Sequence, residues 1–220
     1  MTMKIALIME NSQAQKNASV ENALKKAVLP YGYEVVNYGM FNEKDDPLTY
    51  VQNGILAAIL LNSKTADYVV TGCGTGEGEM LACNAFPGVL CGHIEDPLDA
   101  YTFAQINDGN AISLPFAKGF GWGGDLNLEY IFEKLFCEPS GQGYPRERAI
   151  PEQGNKKILD EVKSITCRDL KKILPELDPE LLSGVIGRKS FQELFFRNCP
   201  DPEYIQLICE LIGPKNKEEA

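Results

Sequence analysis

Apolar residues along this chain fall first into short continuous runs separated by stretches of helical period. Lys4–Met9 is a run of the kind expected of a strand covered on both faces. Val20, Leu24, Ala27 and Val28 recur at helical spacing, so a helix is expected over Asn17–Leu29, ended by Pro30 and Gly32. Tyr33–Tyr38 reads as a second strand, Gly39–Asp46 as a polar loop, and Pro47–Asn62 as a second helix with proline at its start. Asp67–Thr71 is the third expected strand, Gly88–Gly92 a short fourth and Asn110–Leu114 a fifth. Asp96 suits the N-cap of a helix that reaches Asn107. Strands alternating with helices at this spacing imply an α/β fold, a three-layer sandwich around a five-stranded parallel sheet.

After Leu114 the character changes. Pro115–Gly124 is an aromatic and glycine loop, followed by an apolar helix over Leu126–Phe136. Glu138–Glu152 is rich in proline and carries Arg146 and Arg148, as a linker or arm would. From Asn155 onward no strand is expected. Short amphipathic helices, broken at Pro175, Pro179 and Pro200-Asp201-Pro202, make a small all-helical C-terminal appendage. The chain therefore divides into an α/β domain over 1–137, an arm over 138–154 and a helical extension over 155–220. The stripes of the extension are packing faces, against the first domain or a second subunit.

Composition narrows the classes. Of 220 residues 44% are hydrophobic and 24% charged, as in an ordinary globular protein. A net charge of −10 argues against a broad nucleic-acid contact. No apolar run approaches the ~20 residues of a membrane span, and the first residues lack the pattern of a signal peptide. Seven cysteines without a CxxC pair fit reduced thiols and a cytoplasmic location, and a single histidine argues against a zinc site.

The candidate chemistry gathers at Gly72-Cys73-Gly74-Thr75-Gly76-Glu77-Gly78-Glu79, between the third strand and a short helix over Met80–Ala85. Glycines let the backbone approach a ligand with its N–H groups turned inward, and a helix start adds unpaired donors. Strand C-termini are where such sheets bind ligands. The turn is not a P-loop, which needs Gly-Lys-Ser/Thr where Gly78-Glu79 stands. It also fails the dinucleotide fingerprint, since position six from Gly72 is Glu77. Cys73 beside a helix start is a candidate thiolate, and Glu79 a candidate general base. Each also has a plain reading, as a small buried residue and as a carboxylate favoured by the helix dipole. The residues alone leave the two open.

With Asn84, Pro87-Gly88-Val89, Asn107-Asp108 and Asn110, this turn resembles the ribose-5-phosphate isomerase B / galactose-6-phosphate isomerase family over about Met3 to Arg148. The tail resembles that of a longer branch. The resemblance implies a flavodoxin/Rossmann-like fold, no cofactor or metal, a phosphorylated monosaccharide substrate, and a homodimer or homotetramer with shared active sites. It implies aldose–ketose isomerisation through a cis-enediol(ate), with Cys73 in one branch or Glu79 in another as base and Thr75 contacting substrate. Backbone donors from Gly74, Gly76 and Gly78 would stabilise the oxyanion. Arg146 and Arg148 would hold phosphate, with Lys118 a weaker candidate.

Two departures stand out. Glu10 and Asn11 occupy the places of the family's Asp-His, and Ile106 the place of a ring-opening histidine. Either His93 substitutes, or the substrate needs no ring opening. A tetrose 4-phosphate, which cannot close a furanose, would meet the second condition, so a short or otherwise open-chain sugar phosphate is expected. The rival from another class is a binding or regulatory protein that kept the pocket and lost the chemistry. A nucleotide- or flavin-binding domain of the same topology is a third reading.

Overall fold

The computed structural model describes residues 2–213. Five strands, β1 (Lys4–Met9), β2 (Glu34–Asn37), β3 (Tyr68–Cys73), β4 (Cys91–His93) and β5 (Ala111–Pro115), form one all-parallel sheet in the order β2-β1-β3-β5-β4. Layering and crossovers are flavodoxin/Rossmann-like, with the last two strands exchanged relative to the flavodoxin order. β1 and β3 are central and buried on both faces, which explains their unbroken apolar runs.

On one face lie α1 (Asn17–Val28), α4 (Pro97–Thr102) and α5 (Gly124–Phe136), packed on Leu7, Val70 and Ile112. On the other lie α2 (Tyr50–Asn62) and α3 (Glu77–Asn84), over Ala6, Ile8 and Val69. The predicted second helix starts at Tyr50 rather than Pro47, because Thr49 and Gln52 make a reciprocal capping box. The predicted fourth strand shortens to Cys91–His93 after a left-handed Gly88. The helix capped by Asp96 ends in a π-turn, Phe103–Asn107, and Asn11–Lys16 forms an unpredicted 3-10 segment.

The arm is shorter than the sequence pattern suggests. α6 begins at Ala149 and runs to Thr166, with Pro151 tolerated in its first turn. None of its residues is buried, and Ile150, Ile158, Leu159, Val162 and Ile165 are exposed. Beyond it, α7 (Leu170–Ile173), α8 (Pro179–Ile186), α9 (Lys189–Asn198) and α10 (Pro202–Ile212) share a core with α2 through Leu170, Leu182, Val185, Phe191, Phe195 and Ile208. The final charged stretch lies outside the described residues. Among the described residues no helix is long and apolar enough to cross a membrane.

Candidate active site

The C-terminal ends of β1, β3, β4 and β5 converge on the glycine turn. Gly76 takes a left-handed conformation (φ +78°), and a Cβ there would stand 2.7 Å from the His93 ring. Gly76→Ala is therefore expected to cost about 1–3 kcal/mol, read as a lower urea midpoint. The turn is zipped to the loop after β5, where the Phe116 amide donates to the Cys73 carbonyl and the Ala117 amide to the Gly74 carbonyl, both at 2.9 Å. His93 Nε2 donates to the Thr75 carbonyl at 2.9 Å, so this nitrogen braces the turn.

Cys73 is partly exposed, and the Gly76 N–H donates to its Sγ at 3.2 Å. A thiolate accepts such a bond at full strength. Thr75 is exposed, its hydroxyl accepting from the Glu77 amide at 3.4 Å. The Thr75, Gly78 and Glu79 amides meet no acceptor among the described residues. They are unspent donors at a helix start. Glu10 is buried and accepts from the Ser12 amide at 2.8 Å, while Asn11 is exposed and its amide donates to the Leu48 carbonyl.

Glu79 is fully buried, its carboxyl held against Thr71. Thr71 Oγ1 lies 2.7 Å from the Ile8 carbonyl and 2.8 Å from Glu79 Oε1. One hydroxyl proton serves one of these contacts, and the carbonyl can only accept. A protonated Glu79 donating to Thr71 satisfies both. Burial, above the nearby Cys83 and Cys73 thiols, pushes its carboxyl well above the usual range.

Glu79 thus holds its proton more tightly folded than unfolded. The stability this contributes is full below the ordinary value of 4.5 and is lost as pH rises through the raised folded value. Glu79→Gln cannot ionise, so its stability relative to wild type should climb with pH, by up to about 1.4 kcal/mol per pH unit. Parallel urea-melting curves for the two proteins across pH would contradict a neutral Glu79.

The remaining candidates sit elsewhere. Asn107 ends the π-turn ahead of β5, whereas Cys73 pairs with Pro115 at that strand's far end. Asn107 lines a groove of about 430 Å³ with Lys163 and Val162 of α6. Arg146 and Arg148 are exposed on the arm, paired with Glu138 and, at 4.0 Å, with Glu152. That arm is bonded to the π-turn through Gly141 and Gly143, and among the described residues no hydrogen bond or ion pair joins it to the glycine turn. Lys118 is shared between Glu77 and Glu95 at 3.5 and 3.4 Å.

A model of the Ribose/Galactose Isomerase family matches residues 5–126, and a model described as Ribose-5-phosphate isomerase matches 165–210. The chain belongs to the ribose/galactose isomerase family. Its class is that of the aldose–ketose isomerases. The crystal structure of a 4-deoxy-L-threo-5-hexosulose-uronate ketol-isomerase complexed with a tartrate is 56% identical, with a TM-score of 0.93 over 96% of this chain and 99% of that one. A ribose-5-phosphate isomerase from Vibrio parahaemolyticus is 52% identical, with a TM-score of 0.92 over 96% and 100%. The type B ribose 5-phosphate isomerase of Leishmania infantum is 16% identical and shares the fold, with a TM-score of 0.61 over 76% of this chain and 99% of that one.

For this isomerase, sequence reasoning missed Tyr50, whose ring would lie 3.5 Å from a Cβ on Gly78, and Thr71, which holds Glu79. The Thr49–Gln52 capping box is the signal that places Tyr50 in the first helical turn. Nothing local to Thr71 marks it.

Proposed function

We propose that the protein interconverts an aldose and a ketose of an open-chain sugar acid through a cis-enediol(ate), with Cys73 as the base. The observation that carries this reading is the different exposure of the two candidate bases. Cys73 is partly exposed with its Sγ accepting from the Gly76 amide, whereas Glu79 is fully buried against Thr71 and its carboxyl is pushed well above the usual range. In this scheme Sγ removes the proton beside the carbonyl and returns it to the neighbouring carbon. The Thr75, Gly78 and Glu79 amides hold the oxyanion that develops between the two steps. The Thr75 hydroxyl, Glu10 and Asn11 face the substrate hydroxyls.

Ile106 favours the substrate class. Without a proton-transferring group at that place, the site suits a sugar whose carbonyl is already open. A 4-deoxy-5-hexosulose-uronate carries no hydroxyl on its fourth or fifth carbon. None can therefore close a five- or six-membered ring on the aldehyde. A uronate of that kind is our first substrate. A sugar phosphate such as ribose 5-phosphate is the second, supported by the relative of that name. Turnover of ribose 5-phosphate at or above the rate of the uronate would reverse that order.

The acid group is proposed to meet Arg146 and Arg148 of a second copy. Within one chain the arginines and Asn107 lie on the arm and π-turn, apart from Cys73, and α6 beside them exposes an apolar stripe. A homodimer that covers this stripe brings the two halves together. The 1–137 domain then carries the chemistry, the arm, shortened to 138–148 by the start of α6, crosses to the partner, and the helices beyond α6 buttress α2. Ile165→Glu is expected to shift the protein toward monomer in sedimentation and to lower activity in proportion to the dimer lost.

A further inference from the structure

Arg188, at the start of α9, is only 5% exposed, and among the described residues no carboxylate is bound to it. Its guanidinium forks onto two main-chain carbonyls, Nη1 donating to Tyr38 at 3.0 Å and Nη2 to Gly39 at 3.2 Å. Nε is buried and meets no partner among the described residues. Burying a cation against carbonyl dipoles alone is costly, and burial pulls its pKa down, while Asp45 and Asp46 act the other way. Both aspartates lie on the loop that Tyr38 and Gly39 begin.

That loop, residues 39–48, borders the proposed site. The Tyr38 and Gly39 amides face β1 and donate to the Leu7 carbonyl, and the Met40 amide donates to Met9. At its far end Leu48 accepts from the Asn11 amide, and two residues later the Tyr50 ring packs on Gly78. Gly39 packs against β1 with no room for a side chain, since a Cβ there would stand 2.1 Å from the Met9 nitrogen. One side of the loop entrance is thus held by β1 and the other by Arg188. A second tie, Asn198 Nδ2 donating to the Tyr38 hydroxyl at 3.2 Å, comes from the same helix.

We propose that Arg188 is a positioning residue. From the C-terminal helices it holds the 39–48 loop as a wall of the substrate site, and so sets the affinity for the sugar. The proposal rests on the site assigned above. It gives the helical extension a part in substrate binding, because its own packing on α2 would need no buried cation.

Arg188→Lys keeps the charge but cannot fork onto two carbonyls, and Arg188→Met removes the charge. Phe191→Leu, in the same core, serves as a control for loss of stability alone. With 4-deoxy-L-threo-5-hexosulose-uronate as substrate, Arg188→Lys is expected to raise KM about tenfold with kcat within about twofold. Tartrate, tested as a competitive probe, should weaken in parallel. Without any ligand, amide exchange should quicken at Asn11, Met40 and the loop, and not in β3 or β5. Phe191→Leu should lower the thermal midpoint and move neither readout. Unchanged KM and unchanged loop exchange in Arg188→Lys, or the same changes in Phe191→Leu, would overturn the proposal. If wild-type protein turns over neither the uronate nor ribose 5-phosphate, the functional reading fails while the exchange measurement still decides whether Arg188 holds the loop.

Discussion

Cys73→Ala is expected to lower kcat about a thousandfold, within the range for loss of a positioned proton-transfer group. KM should change much less, since a proton-transfer group acts mainly in the transition state. The fold should hardly notice, because the thiol is partly exposed and accepts, among the described residues, a hydrogen bond from the Gly76 amide alone. Glu79→Gln is the informative contrast. Its amide replaces a neutral acid of the same shape against Thr71, and kcat should stay within about threefold of wild type. Steady-state rates for the pair decide between the two residues that the sequence leaves level. A Glu79→Gln enzyme as dead as Cys73→Ala would move the base to Glu79 and require the core around Thr71 to open during turnover.

The second large effect follows from a divided site. The double variant Arg146→Ala/Arg148→Ala is expected to lose about a hundredfold or more in kcat/KM, as two charge-assisted contacts to an anion are removed. Cys73→Ala is inactive for a different reason. If the arginines serve the partner's thiol, unfolding and refolding the two variants together rebuilds one intact site in each mixed dimer. Random pairing makes half of the dimers mixed, so about a quarter of wild-type activity should return. Arginines that served their own chain's thiol would give mixed dimers in which each site lacks one of the two groups. Then the mixture would show only the residual rates, because neither chain carries both groups. Recovery therefore requires sharing.

Much of the fold was legible in the sequence because parallel strands buried on both faces are written as continuous apolar runs. β1 and β3 stand where Lys4–Met9 and Asp67–Thr71 suggest, within two residues. Element ends were less legible. Pro47 looked like a helix start, yet Leu48 is pulled out of helix by its carbonyl's bond to Asn11, and Thr49 makes the better cap. The helical turn at Ala149 was hidden by the prolines around it, of which Pro151 falls where a helix tolerates one.

The site was legible as a turn and not as an arrangement. Cys73 and Glu79 look equivalent in sequence, two reactive groups bracketing the same glycines. What separates them is Thr71 and the Ile8 carbonyl, which the sheet alone brings beneath Glu79. His93 reads either as a stand-in for the ring-opening histidine or as a structural residue, and its Nε2 is engaged with the Thr75 carbonyl. Arg188 carried no signal at all. An arginine before a helix reads as solvated charge, and its burial depends on carbonyls some 150 residues away in the chain.

The central claim is proton transfer by Cys73 beside a sugar carbonyl. Its most direct measurement is proton NMR of 4-deoxy-L-threo-5-hexosulose-uronate incubated with enzyme in deuterated water. Wild-type protein should convert it to the ketose and place solvent deuterium on the carbon next to the carbonyl, while Cys73→Ala should leave both proton and sugar untouched over the same time. Exchange by Cys73→Ala at the wild-type rate would contradict the account.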